Sequence, residues 1–268
     1  MYVTVAQFAA TTDKAENLAT AARFIAEAAE RGTSLVVLPE NAMYSDPDPA
    51  ADVRPAAESV NGPFAQSIAQ AAKRAGVAVI VGMTETPTGD DDRCTNAVLA
   101  VDEQGRTIGV YRKVHLYDAF GYRESDRIVA HEPRPLVFDR DGMRFGVMTC
   151  YDLRFPEMAR FLVDAGAEVL IVPAAWLAGP AKEDHWTTLL RARAIENTVY
   201  VLACGQTGPI NVGHSAIIDP MGQIVAGAGE APGFVTAWID HARLEAVRAK
   251  NPSLANRRFG VRVRGADG

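Results

Sequence analysis

Three residue types at three separate places in this chain could together run acyl-transfer chemistry: a cysteine, a carboxylate and an ammonium. Cys150 ends an apolar stretch that reads as a strand from Arg144 to Thr149, and Phe155-Pro156-Glu157 opens a helix five residues later. Proline suits the first helical turn, and an early Glu suits the positive end of the helix dipole. Cys150 is therefore expected on a sharp strand-to-helix connection, its sulfur clear of the sheet and free backbone N–H groups beside it. That is where an acyl-transfer nucleophile belongs. The position also fits an inert buried thiol, the usual fate of a free cysteine.

Glu40 closes Leu35-Val36-Val37-Leu38-Pro39-Glu40-Asn41. It falls at the C-terminal end of a buried strand, the edge where open α/β sheets bind ligands. Partial desolvation there raises a carboxylate's proton affinity, which suits general acid–base work. Lys113 follows another strand, in Tyr111-Arg112-Lys113-Val114-His115-Leu116-Tyr117-Asp118. A fixed ammonium can stabilise an oxyanion, and near a sulfur it favours thiolate. Taken singly, Glu40 reads more simply as a capping or solvated residue, and Lys113 as a strand-end surface lysine.

The elements that must carry these residues alternate along the chain. Strands are expected at 2–9, 35–38, 77–82, 95–101, 106–112, 136–140, 143–149, 168–172, 199–204, 215–218, 223–226 and 234–239. Helices are expected at 14–31, 64–75, 156–165, 184–197 and 241–250, with a Pro/Asp/Ala-rich loop at 47–55. Gly32 stops the first helix, and Asp102-Glu103-Gln104-Gly105, Asp141-Gly142 and Asp219-Pro220-Met221-Gly222 mark turns between strands. Strand–helix units mixed with hairpins predict an α/β fold with mixed sheets, one domain over 1–268 with a C-terminal tail at 257–268.

Composition narrows the function classes. The chain has 268 residues, 48% hydrophobic and 22% charged, with a net charge of −6. This is an ordinary globular composition, and its sign argues against nucleic acid or an anionic membrane as partner. No apolar run is long enough to span a bilayer. The N-terminus lacks a basic leader region, and the odd set Cys94, Cys150 and Cys204 suggests reduced thiols, so a cytoplasmic location is expected. No histidine or cysteine spacing suits a metal, and the dinucleotide and P-loop fingerprints are absent, so no cofactor or metal is expected.

The three motifs together resemble the nitrilase (carbon–nitrogen hydrolase) superfamily and its Glu-Lys-Cys triad. L-P-E-N at 38–41, Y-R-K-V-H-L-Y-D at 111–118 and C-Y-D-L-R-F-P-E at 150–157 match in order and context. The similarity continues through G-Y-R-E-S at 121–125, H-W-x-x-L-L-R-A-R-A-I-E-N at 185–197 and G-H-S-A-I-I-D-P-M-G at 213–222. The resemblance implies a four-layer α-β-β-α sandwich and a homodimer or higher homo-oligomer built through the helices after Pro156 and Asp184. It implies that Cys150 forms a thioester, that Glu40 shuttles the protons, and that Lys113 and the Tyr151 backbone N–H hold the oxyanion. Glu124 matches a further glutamate that orients the lysine. On the second of those helices Arg193 and Glu196 are spaced to pair.

Cys150-Tyr151-Asp152 and the Arg-Phe-Pro-Glu continuation look like the Nit branch, with its ω-amidases and deaminated-glutathione amidases. This implies hydrolysis of a small aliphatic or ω-amido carboxylate amide with release of ammonia. Nitrilase or N-carbamoyl amide chemistry on the same triad is the alternative, and a catalytically silent thiol sensor a further one. Tyr44, Phe120, Trp176 and His185 are candidates for the pocket wall, though aromatic residues there also suit a core. Arg154 could bind a substrate carboxylate or, more simply, pair with Asp152 or Glu157. Leu177-Ala178-Gly179-Pro180 and Asp118-Ala119-Phe120-Gly121-Tyr122 depart from the branch pattern, so substrate identity does not transfer across them. The arginines of the tail (Arg257, Arg258, Arg262, Arg264) suggest a partly ordered terminus.

Overall fold

The computed structural model describes residues 1–87 and 91–263. In chain order the elements are β1 (Tyr2–Gln7), α1 (Lys14–Ala29), β2 (Thr33–Val37), α2 (Pro63–Ala75), β3 (Ala78–Glu85), β4 (Thr95–Val101) and β5 (Thr107–Arg112). Then come the two-residue strands β6 (Asp118–Ala119) and β7 (Tyr122–Arg123), β8 (Leu136–Arg140), β9 (Met143–Val147), α3 (Pro156–Asp164) and β10 (Val169–Ala174). The chain continues through α4 (Lys182–Asn197), β11 (Tyr200–Gly205), β12 (Ala216–Ile218), β13 (Ile224–Gly227), β14 (Gly233–Trp238) and α5 (His241–Lys250).

Two six-stranded sheets form, in the orders β14-β1-β2-β3-β4-β5 and β13-β12-β11-β10-β9-β8. Strands β1 to β3 run parallel in the first sheet and β9 to β11 in the second, with antiparallel strands outside them. The parallel strands are buried on both faces, which is why Leu35 to Leu38 and Val169 to Val172 read as unbroken apolar runs. One face of the first sheet (Val3, Val5, Leu35, Val37, Ile80) meets the second sheet. The other (Ala6, Val36, Val79, Val81, Leu99) is covered by α1 and α2 through Phe24, Ile25 and Ile68. Trp186, Leu190 and Ala194 of α4 and Met158 and Leu162 of α3 cover the second sheet. The result is the α-β-β-α sandwich.

Local chemistry sets the ends of the helices. Asp13 accepts from the N–H groups of Ala15 and Glu16 to cap α1, and Gly76 closes α2 in the left-handed region. The expected strand at 143–149 ends at Val147, two residues early; the Met148 N–H still donates to the Ile171 carbonyl at 3.1 Å, and the chain then turns into a 3-10 segment at Cys150. The β6–β7 hairpin carries no alternating apolar pattern and was not legible in the sequence. Up to Val263 the tail stays on the body: Arg257 pairs with Asp164 of α3 at 2.6 Å, and Val261 and Val263 face Phe155, Met158 and Phe161 across a cavity. Arg264 lies outside the described residues.

Candidate active site

The site lies along one edge of the sandwich, where the carboxyl ends of β2, β5, β9 and β10 meet. Strand β4 is antiparallel to both neighbours, so β5 ends at the same edge as β2 while β4 begins there. Glu40 follows β2, Lys113 follows β5, Cys150 follows β9 and Asn96 opens β4. Four distant stretches of sequence thus deliver polar groups to one place.

Glu40 is 2% exposed, yet every oxygen it carries has a partner. Its Oε1 accepts from Lys113 Nζ at 2.9 Å and Asn96 Nδ2 at 2.8 Å, and its Oε2 from the Ala175 N–H at 2.6 Å. Its backbone carbonyl accepts from Gln206 Nε2 at 2.8 Å. Gly82 of β3 lets this segment sit close: a Cβ there would lie 2.5 Å from Glu40 Cα. Lys113 Nζ also lies 2.9 Å from Glu124 Oε2, and Glu124 accepts from Asn96 Nδ2 and the Tyr117 N–H. A lone buried ammonium would carry a heavy desolvation cost. Here two carboxylates flank it, and Asn96 bridges them with one NH₂ group, a task only its nitrogen can perform.

Cys150 sits in the left-handed region (φ 47°) at the start of a short 3-10 segment, Cys150–Arg154. The Tyr151 N–H lies in that first turn, where backbone donors lack intrahelical partners. The turn is fastened by Asp152, fully buried. Its carboxylate accepts from the Thr149 N–H at 2.9 Å, Tyr111 Oη at 2.6 Å and the His115 N–H at 3.1 Å, and lies 2.7 Å from His115 Nδ1. From α4, Arg193 donates twice to the Leu153 carbonyl while pairing with Glu196 at 3.0 Å. The Arg193–Glu196 pair is therefore half of a brace on the turn, with Arg193 itself buried.

The electrostatics differ from the sequence expectation in two respects. Burial pushes the Glu40 carboxyl up, but the Lys113 charge and hydrogen bonds from Lys113, Ala175 and Cys150 outweigh it and hold the carboxyl below its ordinary value. Desolvation was expected to raise its proton affinity. Burial and the Glu40 charge push the Cys150 thiol well above its ordinary value, and Lys113 only partly opposes them. The resting pair is thus carboxylate and thiol, not a preformed thiolate. Burial lowers Lys113, but Glu124, Glu40 and Cys150 more than reverse it, so its charge persists. The arrangement can deprotonate the sulfur only as it attacks, with a fixed cation at hand for an oxyanion.

A cavity of about 470 Å³ opens above these groups. Tyr44 lines it, as expected, along with Tyr117, Tyr122, Arg127, Asn211 and the 45–53 segment. Phe120, Arg154, Trp176 and His185 do not. Ala175 turns its N–H to Glu40, and the following Trp176 packs 5.4 Å from Trp186 in the α4 layer, its indole N–H donating to the Lys182 carbonyl. Arg154 pairs with neither Asp152 nor Glu157; Asp152 is already saturated. Its guanidinium stands 4.7 Å from the Trp176 ring centre, with His185 Nδ1 at 3.4 Å. Phe120 is 70% exposed beside this cluster. Lys182, unflagged by the sequence, joins it with Nζ 3.0 Å from Tyr117 Oη, over the Tyr117, Phe120 and Trp176 rings. Burial and the Arg154 charge lower the Lys182 ammonium from its ordinary value. Asn96 also escaped notice, although a polar residue heading the apolar run Ala97 to Val101 was a usable signal.

Among the described residues no group of acidic, histidine or cysteine side chains could hold a metal ion. The carbon–nitrogen hydrolase family matches residues 2–249. The deaminated glutathione amidase of Escherichia coli O157:H7 is 41% identical over 261 residues, 97% of this chain and 98% of that protein. Saccharomyces cerevisiae Nit3, of the nitrilase superfamily, superposes with a TM-score of 0.85 at 31% identity, covering 97% of each chain. A Glu→Gln variant of the Nesterenkonia sp. AN1 amidase superposes with a TM-score of 0.82 at 26% identity over 96% of this chain and 94% of its own; it carries the acetamide moiety of fluoroacetamide on its active-site cysteine. A fold of this architecture, a family match spanning nearly the whole chain and a relative this similar establish that the chain belongs to the carbon–nitrogen hydrolase family.

Proposed function

We propose that this protein is an amidase that cleaves small amides through a thioester on Cys150. Glu40 accepts the thiol proton as Sγ adds to the carbonyl carbon, and Lys113 Nζ with the Tyr151 N–H receives the oxyanion. Collapse breaks the C–N bond while Glu40 returns the proton to the departing nitrogen. Glu40 then deprotonates a water that attacks the thioester, and the acid leaves as the thiol reforms. Glu124 acts through Lys113, holding it in place. One observation carries this reading: Glu40, Lys113, Glu124 and Asn96 form a buried hydrogen-bonded network at the floor of the cavity that Cys150 also lines.

The acyl part of the substrate is small and aliphatic or carries an ω-carboxylate. Lys182 supports the carboxylate: it meets no acidic partner among the described residues, and its Nζ reaches the hydroxyl of Tyr117, which lines the cavity, while Arg154, outside that wall, flanks the same Trp176 ring. The E. coli relative's name points the same way. The working form is a homodimer or larger, joined through α3 and α4, and its location is cytoplasmic; three free, buried thiols support the latter.

The test is amine or ammonia release from butyramide, glutaramate, succinamate, propionitrile and an N-carbamoyl amino acid, with mass spectrometry of the trapped acyl-enzyme. Glutaramate turnover with an adduct lost in Cys150→Ala is the expected result. Turnover of the nitrile or carbamoyl compound alone would move the protein to another branch. Full activity in a folded Cys150→Ala variant would overturn the mechanism.

A further inference from the structure

Glu40 follows a strand of the first sheet and Cys150 a strand of the second, so any proton that passes between them crosses from sheet to sheet. The side chains packed between the sheets, among them Val5, Val37 and Ile80, are apolar. Apolar contact is non-directional, so it holds the sheets together without fixing how far one slides along the other. Proton transfer needs hydrogen-bond reach, which is a directional demand. At the catalytic edge one buried side chain spans both sheets.

That side chain is Gln206, which follows β11 directly and is 1% exposed. Its Nε2 donates to the Glu40 carbonyl at 2.8 Å, and its Oε1 accepts from the Ala10 N–H, just past β1, at 3.0 Å. These partners dictate the orientation of the amide: its oxygen must face the N–H and its nitrogen the carbonyl. The backbone N–H of Gln206 donates to the Ala174 carbonyl at 2.8 Å. That carbonyl belongs to the same planar peptide unit as the Ala175 N–H, which donates to Glu40 Oε2 at 2.6 Å. A ring of hydrogen bonds thus closes through Gln206. It grips Glu40 by its main-chain carbonyl and, through one rigid peptide at the end of β10, by its carboxylate. Among the described residues no other donor reaches the Glu40 carbonyl. The next residue adds a stitch to the same seam, the Thr207 N–H donating to the Phe8 carbonyl at 3.1 Å. Gln206 itself is not part of the cavity lining.

We propose that Gln206 is a positioning residue: it registers the Glu40 carboxylate of the first sheet against the Cys150 thiol of the second, and so governs the proton transfers without touching substrate. This deepens the amidase reading, on which it rests for the role of Glu40.

The experiment measures hydrolysis of glutaramate and alkylation of Cys150 by iodoacetamide, read by mass spectrometry, in wild type, Gln206→Met, Gln206→Glu and Glu40→Gln, with folding checked by circular dichroism. Met fills the space of Gln but offers neither donor nor acceptor. In Gln206→Met kcat should fall by ~10- to 100-fold, the cost of misplacing a reacting group by about 1 Å, and alkylation should slow with it, as in Glu40→Gln. Glutaramate affinity of Cys150→Ala, read by calorimetry with and without Gln206→Met, should stay within about twofold. A protonated carboxyl offers one donor and one acceptor, so at about pH 5 Gln206→Glu should exceed Gln206→Met by about tenfold in kcat. If Gln206→Met does not fold, Gln206→Asn takes its place, one methylene too short to hold both ends. An unchanged kcat in the folded variant, a loss carried by substrate affinity, or no recovery in Gln206→Glu would overturn the assignment. If no amide is turned over, the amidase reading fails alone, and alkylation slowed alike by Glu40→Gln and Gln206→Met still sustains the inference. Turnover of glutaramate with kcat and alkylation both indifferent to Gln206 would defeat the inference alone.

Discussion

At Cys150 a non-glycine residue holds a left-handed backbone, a conformation that costs of order 1–3 kcal/mol and persists only when its surroundings over-determine it. Asn41, next to Glu40, is held likewise (φ 53°), so the local strain falls beside the proposed base and nucleophile. Glu40→Gln keeps shape and removes the base; we expect a loss of about 10²- to 10⁴-fold in kcat with the fold intact, read by steady-state kinetics and circular dichroism. The pH profile follows from the same groups. The folded protein holds Glu40 below its ordinary value, so its ionisation stabilises the fold above the usual carboxylate range of about 4.3 and is lost as pH falls through the lower folded value. The acid limb of kcat/KM should lie at or below that range, and a limb near neutrality would contradict the assignment. Lys113→Met leaves Glu40 and Glu124 facing each other without a cation; a loss of about 3–5 kcal/mol in urea unfolding at neutral pH is the expected outcome, with partial recovery in acid as one of them takes up a proton. Cys204 points its thiol to the Ala6 carbonyl, inside the sandwich and away from the cavity. Its replacement by Ala should leave kcat within about twofold.

At the scale of elements, the precision of the site comes from clamps that make no contact with substrate. Asp152 ties the cysteine turn to the end of β5 through Tyr111 and His115, so the strand carrying Lys113 and the turn carrying Cys150 cannot drift apart. Asp152→Asn loses one strong acceptor among four partners. It should cost about 1–3 kcal/mol by thermal unfolding and lower kcat more than it changes KM. Gly82 plays the matching part for Glu40. Any Cβ there would press on the Glu40 backbone, so Gly82→Ala should cut kcat as well as stability, whereas a change confined to stability would show that Glu40 relaxes freely.

For the molecule as a whole, two sheets back to back place two sets of carboxyl strand ends along one edge, and the floor of the cavity draws on both. Helix α4 braces the cysteine turn from inside through Arg193 and presents Ile195, 45% exposed, outside, against Gly222. If α4 forms the joint between subunits, Ile195→Glu should shift the mass seen by light scattering toward a monomer; an unchanged mass would remove α4 from the interface. Much of this was legible in the sequence. Buried parallel strands announce themselves as continuous apolar runs, because both faces are covered, and helix ends announce themselves through Pro156, which opens α3, and Gly32, left-handed (φ 74°) just past α1, because capping is local chemistry. The three motifs around Glu40, Lys113 and Cys150 were legible because each ends a strand. Tertiary structure alone decided the rest. The protonation of Glu40 and Cys150 is a sum over groups from four strands, and local desolvation pointed the wrong way. The pocket wall is set by which way Trp176 faces after Ala175 binds Glu40, and by where the 45–53 segment and Arg127 come to rest. Such contacts join residues far apart in the chain, and no spacing along it encodes them.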